Sequence, residues 1–249
     1  PRWPAGELGR PARLKLTNDL EHESNHGLNF RLETLCLEPP VFRIPGLLTQ
    51  AECDLMIRLG QGAALSQSAV TSGARKHAGD RLSETAFVKL RSDAALAPFT
   101  ERAACALGLK TAALIAHAEQ MQVVRYGVGG YYDVHMDASD IQPRYATLLL
   151  YLRSPAHGGE TVFPLASSHG LVAEASLAQF EKARGSIRCG AWVTEPSGLS
   201  VSPREGDAVL WYNLGEAGTP DLRTCHAALA VSEGEKWVAN LWVAVELPG

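Results

Sequence analysis

The chain has 249 residues, of which 46% are hydrophobic and 20% charged, and its net charge is −4. This is ordinary globular composition, which sets aside disordered, fibrous and membrane-embedded classes. The weakly acidic balance argues against a nucleic-acid backbone as the main partner.

No apolar run approaches the roughly 20 residues a membrane span needs. The chain begins at Pro1 with no signal-like apolar segment, so it reads as a mature or trimmed chain. Cysteine is scarce and scattered, at Cys36, Cys53, Cys105, Cys189 and Cys225, with no C-x-x-C. That pattern suggests neither a structural zinc site nor a catalytic dithiol, and buried thiols are expected rather than disulfides.

Residues 1–30, rich in Pro, Gly, Arg and Asn without a clear period, are predicted to form an extended or poorly ordered arm. His22, Glu23 and His26 within it read as a solvated loop. Two extended apolar stretches follow between Leu32 and Ile44. Thr49 and Glu52 have the spacing of a capping box and open a helix with Leu55, Met56 and Leu59 on one face, ended by Gly60 and Gly62. Ser66–Glu84 is polar, glycine-containing and basic, the character of a long surface loop or a lid. A second helix is expected over Asp93–Gly108, with Pro98 in its first turn.

From Ala118 the pattern changes to strands: Gln120–Tyr126, Ala146–Arg153, Thr161–Leu165, Ala208–Tyr212 and Lys236–Val245, separated by Gly and Pro signals. Helices do not alternate with these strands, so the expectation is a mainly β, α+β fold. Its core is a sandwich or jelly roll with amino-terminal helices packed on one side. The predicted organisation is one domain over 31–249. Residues 31–117 form its mainly helical support, and 118–249 form the β core with an insertion at 166–202. That insertion holds a candidate helix at Leu171–Arg184.

Two features carry chemistry. His135-Met-Asp137 follows a glycine-rich turn, and alternation along a strand puts both side chains on one face. An imidazole and a carboxylate so placed can ligate a metal, and one more histidine would complete a facial triad suited to non-haem Fe(II). His117-Ala-Glu119 has the same form but sits at the end of the helical part, where a core or surface histidine is the better reading. Further on, Lys236, Val238, Asn240 and Trp242 share one face of the last strand. Lysine is almost never fully buried unpaired, so Lys236 either snorkels to water or meets an anion inside a cavity.

The segments QVVRYGVGGYYDVHMD, RYATLLLYL, GGETVFP, PREGDAVLWYN, CHAALAV and GEKWVANLWV, in this order, resemble the prolyl 4-hydroxylase family of Fe(II)/2-oxoglutarate dioxygenases. So does the entry stretch VFRIPGLLTQAECDLMI. The H-x9-K-x5-W spacing from His226 through Lys236 to Trp242 matches as well. The likeness is greatest to the transmembrane branch, from which this chain departs in having neither EF-hand loops nor a membrane span.

The resemblance implies a double-stranded β-helix core, with His135, Asp137 and His226 holding Fe(II) and with Tyr126, Thr161 and Lys236 holding 2-oxoglutarate. It also implies O2 and ascorbate as further cofactors, and Arg144, Trp242 and Tyr132 as residues lining a proline-containing peptide substrate. The implied reaction is C4 hydroxylation of peptidyl proline with conversion of 2-oxoglutarate to succinate and CO2. Related halogenating enzymes lack the carboxylate ligand, so Asp137 favours hydroxylation. The implied compartment is the secretory or endoplasmic reticulum lumen, with the cytoplasm as the alternative. The competing readings are the same chemistry on another side chain, small molecule or nucleobase; a silent peptide-binding module; and a zinc hydrolase.

Overall fold

The computed structural model describes residues 2–3, 11–14, 30–68, 81–139, 142–166, 198–215 and 217–244. Its framework is a nine-stranded antiparallel sheet facing a five-stranded one. In chain order the strands of the large sheet are β1 (Pro11–Leu14), β2 (Phe30–Cys36), β3 (Val41–Ile44), β4 (Ser66–Gln67), β6 (Glu84–Val88), β7 (Met121–Tyr126), β9 (Arg144–Arg153), β13 (Ala208–Tyr212) and β16 (Lys236–Ala244). The small sheet contains β5 (Arg81–Leu82), β8 (Tyr131–His135), β11 (Thr161–Phe163), β12 (Leu199–Val201) and β14 (His226–Ala228). A separate two-stranded pair joins β10 (His157–Gly158) to β15 (Val231–Glu233). The spatial orders are β1-β2-β3-β13-β9-β16-β7-β6-β4 and β12-β11-β14-β8-β5. This is the expected jelly roll.

The central strands are hydrophobic on both faces because both faces are covered. In β9, Ala146, Leu148, Leu150 and Leu152 pack into a core shared with the helices, while Leu149 and Tyr151 pack into a second core. That second core also contains Phe163, Val201 and Ala228 of the small sheet, and it fills the space between the sheets. The same alternation splits β16. Trp237, Ala239, Leu241 and Val243 join the helix-side core, leaving Lys236, Val238, Asn240 and Trp242 on the inner face.

Helix α1 (Gln50–Gly62) begins at the predicted capping box. Glu52 N donates to Thr49 Oγ1 at 3.3 Å, and Thr49 N donates to Glu52 Oε2 at 2.8 Å. Its buried face is Cys53, Met56, Ile57 and Gly60. Leu55 and Leu59, expected on that face, are only partly buried beside it. Gly60 does not end the helix. It lies against β7 so closely that a Cβ would stand 2.7 Å from Val123 Cγ1.

The predicted second helix is a short 3-10 turn at Ala94–Leu96 followed by α2 (Ala97–Ala106), and a further short helix α3 (Thr111–His117) follows. The segment 31–117 thus contributes strands to the large sheet as well as helices. Part of the expected arm is ordered too. β1 pairs with β2, Trp3 Nε1 donates to Ala106 O at 2.7 Å, and Trp3 N donates to the Tyr212 hydroxyl at 2.9 Å. The His22–His26 cluster, the middle of the Ser66–Glu84 loop and the Leu171–Arg184 helix lie outside the described residues.

Candidate metal centre

β14 pairs antiparallel with β8, and the register places His226 directly opposite His135. The two imidazole centroids are 4.3 Å apart. Asp137 is not on the strand with His135, as alternation had predicted. β8 ends at His135, and Asp137 sits in the bend just past it. The bend still returns the carboxylate to the histidines. His135 Nε2 lies 3.8 Å from Asp137 Oδ1, and His226 Nε2 lies 3.7 Å from Oδ2. The ligand atoms of the three residues all fall within 4.8 Å of one another. Among the described residues this is the one such group of His, Cys, Asp and Glu, and His117-x-Glu119 does not form a second.

The donor set fits a divalent metal. His135 Nδ1 faces Asp133 O at 2.8 Å, and His226 Nδ1 faces Thr224 O at 2.9 Å. A carbonyl can only accept, so each neutral ring carries its proton on Nδ1 and turns the Nε2 lone pair toward the shared space. Burial and the neighbouring His226 hold His135 well below the usual histidine range, against the attraction of Asp137. Burial alone would raise the Asp137 carboxyl. His226, His135 and a 2.6 Å hydrogen bond from Thr147 Oγ1 to Oδ2 outweigh it and keep the group ionised. Two imidazoles with Nε2 turned to the shared space and one carboxylate on a single side leave the remaining positions of a six-coordinate ion open.

Lys236 does not snorkel. It is 1% exposed, and its ammonium donates to Gly159 O at 2.6 Å. It lies 5.5 Å from the Tyr126 ring centroid and 5.7 Å from that of Tyr151. Among the described residues no carboxylate forms an ion pair with it. Burial pushes it down to about 7, and the more distant Glu160 opposes only part of that shift. A buried ammonium without a counter-anion among the described residues is a ready site for a ligand carboxylate. Tyr126 is its partner in the β7–β16 register, and Thr161 is buried on β11.

Tyr132 stacks on His135, with centroids 3.6 Å apart and an interplanar angle of 18°, and Arg81 covers its ring at 4.3 Å. Arg144 lies 3.7 Å over the Trp242 ring. It is also committed to protein partners. Its guanidinium binds the Glu119 carboxylate through two bonds of 2.5 and 2.7 Å and donates to Asp137 O at 3.2 Å. Trp242 Nε1 is near enough to Asp137 to help hold it ionised, but it makes no hydrogen bond of ordinary geometry.

Sequence reasoning missed Arg81, Glu119, Thr147, Tyr151 and Asn213. A signal existed for two of them: Thr147 and Tyr151 are the polar side chains within the buried, otherwise aliphatic stretch 146–152 of β9. Glu119 had been set aside with His117.

The chain matches the model of the 2OG-Fe(II) oxygenase superfamily over residues 121–244. It is 32% identical over 228 residues to Arabidopsis thaliana "Probable prolyl 4-hydroxylase 4", a match covering 87% of this chain and 71% of the relative. The chain belongs to the prolyl 4-hydroxylase family. The mouse transmembrane prolyl 4-hydroxylase is 33% identical over 159 residues, covering 53% of this chain and 31% of the relative. The solved viral collagen prolyl hydroxylase of Paramecium bursaria Chlorella virus-1 has the same fold, with a TM-score of 0.54 at 23% identity, covering 82% of this chain and 96% of that one. As a member of this family of 2-oxoglutarate-dependent dioxygenases, the protein uses Fe(II), 2-oxoglutarate and O2, with ascorbate typical of the family. Among the described residues no helix is long and apolar enough to cross a membrane, and Cys36, Cys53, Cys105 and Cys225 are buried and form no disulfide with one another.

Proposed function

We propose that the protein hydroxylates peptidyl proline at C4, with Fe(II) held by His135, Asp137 and His226 and with 2-oxoglutarate held by Lys236, Tyr126 and Thr161. The observation that carries this reading is Lys236, a fully buried ammonium on the inner face of β16 with no carboxylate partner among the described residues, in a fold that also gathers His135, Asp137 and His226. A zinc hydrolase has no use for such a group. Bound iron and 2-oxoglutarate supply activation of O2 coupled to decarboxylation, which ends in succinate, CO2 and a hydroxyl on the substrate carbon.

The residues of the chain do the rest. The Nδ1 bonds to Asp133 O and Thr224 O orient the two histidines. Lys236 neutralises the far carboxylate of the cosubstrate in a site closed to water, where that pairing is strongest. The Tyr126 and Thr161 hydroxyls offer hydrogen bonds to the same carboxylate. Tyr132, held between His135 and Arg81, leaves its ring edge and hydroxyl to meet a proline ring beside the metal. Arg144 and Trp242 form the opposite candidate wall. Arg81 also lines a cavity of about 480 Å³ with Ser66, Ser68, Thr85, Phe87 and Gln122, which gives an extended peptide room beyond the reacting residue.

The named activities of the plant and mouse relatives support proline as the target, and the secretory lumen is the compartment that goes with this reading. The test is incubation with proline-containing peptides, Fe(II), 2-oxoglutarate and ascorbate, followed by mass spectrometry and amino-acid analysis. One added oxygen recovered as 4-hydroxyproline, with one succinate per turnover, is expected. Oxygen on another residue, or succinate release that peptides do not stimulate, would overturn the substrate assignment.

A further inference from the structure

Behind Asp137 runs a chain of buried hydrogen bonds of which only the last, from Thr147, has entered the account above. Trp211 Nε1 donates to Asn213 Oδ1 at 2.7 Å, Asn213 Nδ2 donates to Thr147 Oγ1 at 2.9 Å, and Thr147 Oγ1 donates to Asp137 Oδ2 at 2.6 Å. Trp211, Asn213 and Thr147 are fully buried. The register aligns Thr147 of β9 with Trp211 of β13 on one side and with Trp242 of β16 on the other, so the hydroxyl sits in the middle of the inner face.

The direction of every bond is forced. An indole N–H can only donate, so the amide atom facing Trp211 is the oxygen. The amide nitrogen must then face Thr147, whose oxygen accepts that bond. The hydroxyl has one proton, and the acceptor left for it is the carboxylate. A donor-only group at one end and an acceptor-only group at the other leave no alternative arrangement of protons between them. In most buried networks hydroxyls and amides can reverse together, but here they cannot.

We propose that Trp211, Asn213 and Thr147 are positioning residues that form this one-way relay and lock the Asp137 carboxylate in the orientation that meets both histidines. The relay pins Oδ2 while Oδ1 faces His135 and Oδ2 faces His226. Asn213 also bears on the third ligand through its main chain. Its carbonyl accepts from Asp221 N at 2.9 Å, and Asp221 caps the turn Leu222–Thr224, whose last carbonyl orients His226. One asparagine thus stands where the supports of two ligands meet. This inference rests on Asp137 being a metal ligand, and the experiment separates the two claims.

The measurement is anaerobic calorimetric titration of the full chain with Fe(II) alone, with thermal melts of each variant as a folding control. Partners beyond the immediate ligands typically contribute ten- to a hundredfold in metal affinity. Thr147→Val and Trp211→Phe are each expected to weaken Fe(II) binding about tenfold, and Thr147→Ser, which keeps the hydroxyl, to restore it. Because Trp211 acts only through Thr147, the double variant is expected to bind no more weakly than the worse single one. Trp211 also packs on His226, with centroids 4.7 Å apart. An effect through that contact would persist beside Thr147→Val, so multiplicative losses would overturn the relay. Wild-type affinity in Thr147→Val would overturn it too, and Thr147→Ala serves if the valine variant does not fold. Asp137→Ala is the control. If it keeps Fe(II) binding, the ligand assignment itself fails. If it loses binding while Thr147→Val does not, only the relay fails.

Discussion

A buried lysine is tolerated when something accepts its charge, and among the described residues Lys236 has the Gly159 carbonyl as its one hydrogen-bond acceptor, with two tyrosine rings nearby. Its depressed value of about 7 sets a pH dependence whose sign is fixed. Below about pH 7 the ammonium is already protonated, and 2-oxoglutarate affinity is expected to be flat. Above it the neutral amine must take up a proton as the carboxylate arrives, so the dissociation constant should rise about tenfold per pH unit. Calorimetry in buffers of different ionisation enthalpy would detect that proton, and Lys236→Met should abolish both the slope and the uptake. Folding stability is linked in the same way. Between about 7 and the ordinary lysine range the unfolded chain holds the extra proton, so the apo fold gains stability as pH rises through that window. For the triad, His135→Ala and Asp137→Ala are each expected to eliminate Fe(II) binding in anaerobic titration while leaving the melt of the apo protein near wild type. The H-x-D spacing exposed two of these ligands. It gave the wrong reason for Asp137, because the bend after β8 rather than strand alternation brings the carboxylate round. Thr147 and Asn213 act only through partners distant in sequence, so nothing in the linear order marks them as a pair.

The element that prepares the lysine is the turn at Gly158–Gly159. Both residues have positive φ, +79° and +74°. A Cβ on Gly158 would stand 2.4 Å from Ala230 O, and one on Gly159 would stand 3.2 Å from Lys236 Cδ. Gly158→Ala must therefore move backbone and is expected to lower stability by more than about 1 kcal/mol, measurable by denaturant unfolding. Gly159→Ala presses on the lysine stem itself. It is expected to weaken 2-oxoglutarate binding several-fold while Fe(II) affinity stays unchanged; equal losses of both would show a general disturbance of the site. The long strands were legible because five to ten residues are enough to display a period, and in β16 that period assigned Lys236, Val238, Asn240 and Trp242 to the inner face. Strands β10, β12, β14 and β15 are two or three residues long. No period exists over such a length, and their pairing partners decide their state. β14 carries His226, so one of the least legible elements holds one of the three candidate ligands.

At the scale of the whole molecule, the two sheets are separate layers with the metal site between them, and a ligand bound there stabilises both. Fe(II) at a hundred times its dissociation constant should add about 2.7 kcal/mol, a rise in melting temperature of roughly 5–10 °C for a chain of this size. Differential scanning calorimetry under argon would register it, and Asp137→Ala should show no rise. A loss of the shift in Arg144→Ala would place that arginine with Asp137, whose main-chain carbonyl it holds, whereas a normal shift with poorer peptide use would place it with the substrate.

The pairing of β8 with β14 has a kinetic meaning as well. The two histidines stand opposite each other only after the chain between them has folded back on itself, and such distant pairings are the slow ones, typically forming in milliseconds to seconds. Until that closure the chain offers iron at most the local pair His135 and Asp137, without the third donor that completes the site. Capture of Fe(II), followed by stopped flow during refolding, is therefore a clock for the last stage of assembly: it should start only when the strand bearing His226 has docked, however early the helices and the central strands appear.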